Sequence, residues 1–279
     1  MRIIIFLFFF LFHFSSFGQK SVRDIIQRMN TAGSGIRTAA FTIYGEERLK
    51  NGDVFISERN VKLIAKPKKV YFYSVKPDPG MEVLWKEGPG EKMTVNPGGF
   101  PYITLHINHN GAIARKDSHH AIHDMGFDYV VKLINYYMQT QGENIFKWAV
   151  IKDTLQWQGL TCIHLAIDFK DYPVNNYTVL KGENLSSIAA KLHVNDYMIL
   201  SMNNSIDDMD DVEEGQRILV PGLYASRIEF YIDMKSWLPV RQLIYDQKGL
   251  YEKYEVRKLK VNPVFKPEEF TEEYKDYKF

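Results

Sequence analysis

His106, His109, His119, His120 and His123 crowd one short stretch, with Asp117 and Asp124 among them. Imidazole and carboxylate are ligands that zinc accepts, and His119 and His123 stand four residues apart. A helix beginning that early would put both on one face as a metal pair. The stretch lacks a glutamate at the spacing of a zinc-protease general base, and no cysteine pair accompanies it. The competing reading is that these histidines cap the following helix and shape a loop by hydrogen bonding. At a pocket rim, His119, His120 and His123 are expected to touch a ligand rather than to catalyse.

Other reactive types are sparse. Cys162 is the only cysteine, so no internal disulfide is possible, and it reads as a small buried strand residue. His164 shares its strand face two residues on, a poor geometry for a nucleophile–base dyad. There is no Gly-x-Ser-x-Gly elbow and no phosphate-cradling glycine loop. Glu46 and Glu47 would face opposite ways on a strand and read as solvated surface charge. No catalytic constellation emerges, so the expectation is a non-enzyme with no cofactor and no resident metal. The alternative is a metal-assisted cell-wall enzyme using the His106–His123 histidines.

These residues sit in a chain of 279 residues, long enough for one large domain or two ordinary ones. The net charge of +1 gives no bulk electrostatic case for nucleic acid. Arg2, then the apolar run Ile3–Phe14, then Ser16 and Gly18 before Gln19, read as a signal peptide over 1–18 cleaved after Gly18. The protein is therefore expected to be exported, to the periplasm or cell envelope.

Ser21 can cap a helix whose stripe is Val22, Ile25, Ile26 and Met29. Strands follow, with Phe41 and Ile43 alternating against Thr42 and Tyr44. Tight turns fall at Asn51-Gly52 and Glu87-Gly88-Pro89-Gly90. Phe127, Val130, Val131, Ile134 and Tyr137 are helically spaced. Alternation returns along Thr161–Phe169, stops, and restarts at Arg227–Met234, Leu238–Tyr245 and Leu250–Lys260. Such a pattern predicts one antiparallel sheet packed on helices, with something inserted at a surface hairpin.

The interruption is chemically distinct. Residues 177–221 carry Lys181, Lys191 and Arg217 against Glu183, Asp196, Asp207, Asp208, Asp210, Asp211, Glu213 and Glu214, a net −5 that leaves +6 for the rest. It reads as strand, helix, helix, strand. Asn184 can cap the first helix, whose apolar face is Leu185, Ile188, Ala189 and Leu192, and Asp196 can cap the second. Tyr177, Val179, Gly182, Leu185, Ile188, Ala189, Val194, Leu200, Asn203, Gly215, Gln216, Ile218, Val220 and Pro221 together resemble the LysM family. Glu183-Asn184 replaces that family's usual Asp-Thr. The resemblance implies binding of peptidoglycan or another N-acetylglucosamine polymer. It would bind between the loop after the first strand and the loop after the second helix: Gly182, Glu183, Asn184, Leu185 and Ser186 on one side, Asn203, Asn204, Ser205 and Ile206 on the other.

The remainder, 19–173 and 222–279 around an insertion at 174–221, looks like the LolA-type half-barrel of bacterial lipoprotein carriers. More closely, it resembles an exported bacterial domain-of-unknown-function family on that theme. The stretches that carry this are Gly80–Trp85, Asn96–Pro101, His119–Ile122 with Gly126-Phe127, and Ile232-Asp233 through Leu238-Pro239-Val240 to Gly249. The resemblance implies an α+β fold, a curved antiparallel half-barrel sheet wrapping a helix, with a small inserted βααβ LysM module. It also implies an apolar concavity for a lipid, lipoprotein or envelope partner, lined by alternate strand residues such as Phe41, Ile43, Phe230 and Ile232.

Overall fold

The computed structural model describes residues 21–279 apart from Glu91 and Lys170, so the segment expected to be a signal peptide lies outside the described residues. Ser21 caps α1 (Val22–Ser34) by accepting from the Asp24 amide at 3.1 Å. The expected stripe of Ile25, Ile26 and Met29 is buried. An antiparallel meander then runs through β1 (Thr38–Arg48), β2 (Val54–Ala65), β3 (Lys68–Lys76), β4 (Glu82–Lys86), β5 (Lys92–Asn96) and β6 (Leu105–Asn108). A crossing segment holds the single turn α2 (Ala112–Arg115), α3 (Asp128–Gln141) and α4 (Asn144–Trp148). It delivers the chain to β7 (Ala149–Trp157) and β8 (Leu160–Asp168). The inserted unit is β9 (Val174–Thr178), α5 (Leu185–Leu192), α6 (Asp196–Met202) and β10 (Arg217–Pro221). A closing meander of β11 (Arg227–Asp233), β12 (Pro239–Asp246) and β13 (Gly249–Val261) completes the order.

Eleven strands make one open antiparallel sheet in the order β6-β5-β4-β3-β2-β1-β13-β12-β11-β8-β7. The first and last long strands, β1 and β13, are thus central neighbours, while β8 pairs directly with β11 across the insertion. β9 and β10 pair with each other from Val174–Pro221 to Thr178–Arg217, so the ends of the inserted unit lie side by side. Helices α1 and α3 cross where Gly33 has no side chain, and a Cβ there would lie 2.5 Å from Val131 Cγ2. Their apolar faces cover β8, β11 and β12 through Ile134, Tyr137, Leu165 and Phe230, as a half-barrel wrapped on a helix requires. Strand β3 is aromatic on both faces because the C-terminal tail covers its other side. There Tyr277 stacks on Tyr71 at 3.8 Å, and Phe270 is buried beside Leu84.

The inserted unit has its own core of Leu185, Ile188, Ile199, Ile206 and Ile218. Asn184 caps α5 in a capping box with Ser187, as its side chain predicts. The cap of α6 is Asn195, whose side-chain oxygen accepts from the Met198 amide at 2.9 Å, rather than Asp196. Asp196 turns to the host instead and takes both guanidinium branches of Arg115 at 2.9 and 2.7 Å. The unit is docked rather than tethered. Lys50 donates to the carbonyls of Asn204 and Ile206, Asn195 donates to the carbonyl of His119, and His193 stacks on Tyr136 at 3.8 Å.

The Arg115–Asp196 pair is nearly dry, with side-chain exposures of 4% and 13%. Burial pushes the Asp196 carboxyl up, but the hydrogen bonds and charge of Arg115 outweigh it and hold the group below its ordinary 3.8. A depressed folded value contributes stability that is complete above the unfolded value and lost as pH falls through the folded one. Arg115→Met is therefore expected to lower stability at pH 7 by about 3–5 kcal/mol, because a buried carboxylate loses its partner. Urea unfolding measured from pH 7 to pH 3 should show that gap narrowing as pH falls, because Asp196 left to burial alone takes up a proton before the paired group does.

Candidate functional site

Period-2 alternation sends Phe41, Ile43 and Glu47 of β1 to one face, and Glu252, Tyr254 and Val256 of β13 to the same space. Between this face and the crossing segment lies a cavity of about 360 Å³. Its walls are apolar over most of their length: Phe72, Val83, Met93, Ile228 and Phe230 from the sheet, with Phe127 and Leu133 opposite. Three of the four residues expected to line it do so. The fourth, Ile232, is fully buried in the helix–sheet core instead. The volume lies at the lower end of the roughly 300–1,000 Å³ of small-molecule pockets.

One end of this cavity is polar. The β1–β13 register places Glu47 directly opposite Glu252, and the two are 3% and 1% exposed. Glu47 is not the solvated surface charge expected of it. Glu46, on the other face, is half-buried and paired with Lys253. The hydroxyl of Tyr254 donates to Glu47, and that of Tyr224 donates to Glu252 Oε1 at 2.7 Å. His119 Nδ1 and His120 Nε2 lie 3.0 and 3.2 Å from Glu252 Oε2. His119 is wholly enclosed between the rings of Tyr251 and of Tyr197 on α6, at 4.1 and 4.6 Å. Burial alone would raise the Glu252 carboxyl, but the charge of His120 and the hydrogen bonds from both imidazoles hold it well below the usual carboxylate range. Burial lowers His120 in turn, and the facing Glu252 more than offsets this and pushes it up to about 9.

The histidines divide into groups. His119 and His120 converge on Glu252, but no helix spans 119–123, because the chain there is bent and only a 3-10 turn begins at Ile122. His119 and His123 therefore share no helix face, and His123 faces His109 with 3.4 Å between their Nδ1 atoms, beside Trp85. His106 stands apart on β6, 3.3 Å from Glu272. Of the two residues that matter most, Glu47 reads from sequence as surface charge and Glu252 carries no sequence signal as a site residue. The parity shared with Phe41 and Ile43 was the available signal for Glu47. Cys162 is fully buried on β8, where burial and then Asp233 push its thiol up to about 11, an inert setting.

In the inserted unit, the first candidate loop is hydrogen-bonded to residues that follow the second. The Leu185 amide donates to the Met209 carbonyl at 2.8 Å, and Asn184 Nδ2 donates to Asp210. Most candidate side chains there already have partners. Glu183 accepts from Tyr177 and from the Leu180 amide, and Ser186 donates to Asp196. Asn203 bonds the Leu219 backbone in both directions, while Leu185 and Ile206 are core. Gly182, Asn204 and Ser205 are exposed. A shallow hollow beside the second loop is walled by Asp207, Asp208 and Met209 and, from the host, by Ile113 and Lys116.

Comparison with known proteins agrees with these two parts. Residues 177–221 match the LysM domain, and residues 40–178 match the family described as "Protein of unknown function (DUF1571)". No curated protein sequence matches the chain. Similar solved structures include the Mycobacterium tuberculosis lipoprotein LppX, 12% identical, with 88% of this chain and 99% of that one covered at a TM-score of 0.40. LprF from Mycobacterium bovis is 13% identical, with 88% and 95% covered at a TM-score of 0.42. A chain of the Pseudomonas aeruginosa MucA/MucB complex is 11% identical, with 88% of this chain but 59% of that one covered at a TM-score of 0.43.

Glu252 accepts from Tyr224 and faces two imidazoles, so its removal strands several buried polar groups at once. Glu252→Leu is expected to cost about 3–5 kcal/mol in chemical denaturation, against about 1–3 kcal/mol for Tyr224→Phe, which removes one donor.

Proposed function

We propose that this protein is an exported, non-catalytic component of the cell envelope. It holds peptidoglycan through its LysM domain and shelters the apolar chain of a lipid or lipoprotein in its half-barrel. The organisation behind this reading is a discontinuous host, 19–173 and 222–279, following a signal peptide at 1–18 and carrying the inserted unit 174–221. The observation that carries the shelter half is the cavity between sheet and helices, apolar along its walls and polar at one end. A packed sheet–helix interface would leave no such space, since protein interiors are close-packed. Among the described residues no helix is long and apolar enough to cross a membrane.

The wall-binding half rests on the LysM match over 177–221. Because Glu183, Asn184, Ser186 and Asn203 spend their side chains within the unit, N-acetylglucosamine would meet chiefly main-chain groups of the two loops, with Ser205 exposed at the edge. Gly182 and Ser205 are the positions to obstruct. Both are exposed, and aspartate tolerates the positive φ of 78° at Gly182. Gly182→Asp combined with Ser205→Glu should cut retention on insoluble peptidoglycan by at least about tenfold, some 1.4 kcal/mol of affinity. Retention equal to wild type would reject the wall-anchoring half.

The shelter is tested separately. Ile43 lines the cavity and is half-buried, so Ile43→Trp would project an indole into the empty space. A fluorescent fatty acid should bind wild type, and the substitution should weaken it by at least about tenfold, with peptidoglycan retention untouched. Absence of binding by wild type would remove the shelter half alone.

A further inference from the structure

The polar end of the cavity contains an arrangement that hydrogen bonding does not complete. Glu47 and Glu252 are directly opposed across β1 and β13 and both are buried. Like charges at directly opposed strand positions repel, and the dry surroundings strengthen the repulsion. Glu47 Oε2 has no hydrogen-bond partner although it is buried. An orphaned carboxylate oxygen is among the costliest groups to leave unmet in a protein interior.

His119 sharpens the problem. Its Nε2 lies 3.0 Å from the Arg48 carbonyl, which can only accept, so that nitrogen carries a proton. Its Nδ1 lies 3.0 Å from the carboxylate oxygen Glu252 Oε2. Atoms at this separation can serve as neighbouring ligands of one cation. Ligand atoms of Glu47, His119 and Glu252 all lie within 4.8 Å of one another. The Nε2–H bond to a backbone carbonyl is the outer contact that orients a metal-bound histidine.

The geometry points to a divalent transition-metal site, of the kind zinc takes, formed by Glu47, His119 and Glu252 at the polar end of the cavity. One nitrogen and two carboxylates suit zinc better than calcium or magnesium, which take oxygen shells of six or more ligands. His120 approaches the same Glu252 oxygen at 3.2 Å from the cavity side and stands where a fourth ligand or an exchangeable one belongs. One divalent cation balances the charge of the two carboxylates. The cavity supplies the path by which the ion arrives, since Glu47, His120 and Glu252 all line it. The site is independent of glycan binding and requires no lipid.

The test uses the whole protein, stripped with a chelator and titrated with Zn²⁺ alone by calorimetry, and with Co²⁺ for its visible spectrum. The expected result is a single equivalent of Zn²⁺ per chain, with a cobalt spectrum of nitrogen and oxygen coordination and a raised melting temperature. Glu47→Gln keeps an acceptor for Tyr254 and should fold, yet weaken Zn²⁺ by at least about tenfold. His106→Ala, at an exposed site on β6, should leave Zn²⁺ binding as in wild type. No stoichiometric binding by wild type overturns the proposal. So does binding that Glu47→Gln leaves unchanged, which would place the ion elsewhere, as at His109 and His123.

Discussion

Two carboxylates facing each other in the dry middle of the sheet are the constraint around which the rest of this molecule is arranged. Glu47 and Glu252 sit on the central pair of strands, and their charge cannot be left bare. Everything nearby answers to them. Tyr254 and Tyr224 aim their hydroxyls inward, and the crossing segment bends to bring His119 and His120 over Glu252. The bend in turn exposes the His119 carbonyl, which takes hydrogen bonds from Arg115 and from Asn195 of the LysM domain. Docking of the inserted unit therefore depends on the same loop that compensates the carboxylates.

This linkage makes the relation between the two parts rigid. Tyr197 of α6 closes the far side of the His119 ring, Tyr251 of β13 donates to Asn195, and Arg115 clamps Asp196. Inter-domain contacts in one chain are commonly polar and mobile, but here buried aromatic stacking and a bidentate ion pair fix one orientation. The LysM loops thus face a defined direction relative to the cavity, and host residues Ile113 and Lys116 flank them.

Much of this was readable from the amino-acid order. The stripe of α1, the alternation of β8 and β11, the capping role of Asn184 and the LysM pattern each rest on contacts within a few residues, where sequence carries its information. The polar site does not. Glu47 and Glu252 become neighbours only through pairing of strands some two hundred residues apart, and no local pattern announces a register between them. Parity with Phe41 and Ile43 places Glu47 on the cavity face. Whether that face is covered so near the strand's end depends on where the 119–127 segment crosses. The pair His119 and His123 failed as a helix face for a related reason. The segment is held by tertiary bonds to Glu252, Arg115 and Asn195 rather than by its own helical ones. The residue type of Asp196 suits a cap, and the neighbouring Asn195 takes that role because Arg115 offers the aspartate a stronger partner.

The side-by-side ends of the inserted unit bear on how the chain folds. Strands β8 and β11 must find each other across residues 169–226, a span whose closure is entropically costly. The β9–β10 pair and its two helices make contacts mainly with each other and can form first. Once Val174 and Pro221 are joined, only residues 169–173 and 222–226 remain as free loop between β8 and β11. Shortening the loop in this way recovers about 1.5 kcal/mol of closure entropy. A folded insert therefore acts as a splint for the host sheet, so the insertion does not set the pace at which its two flanking strands meet.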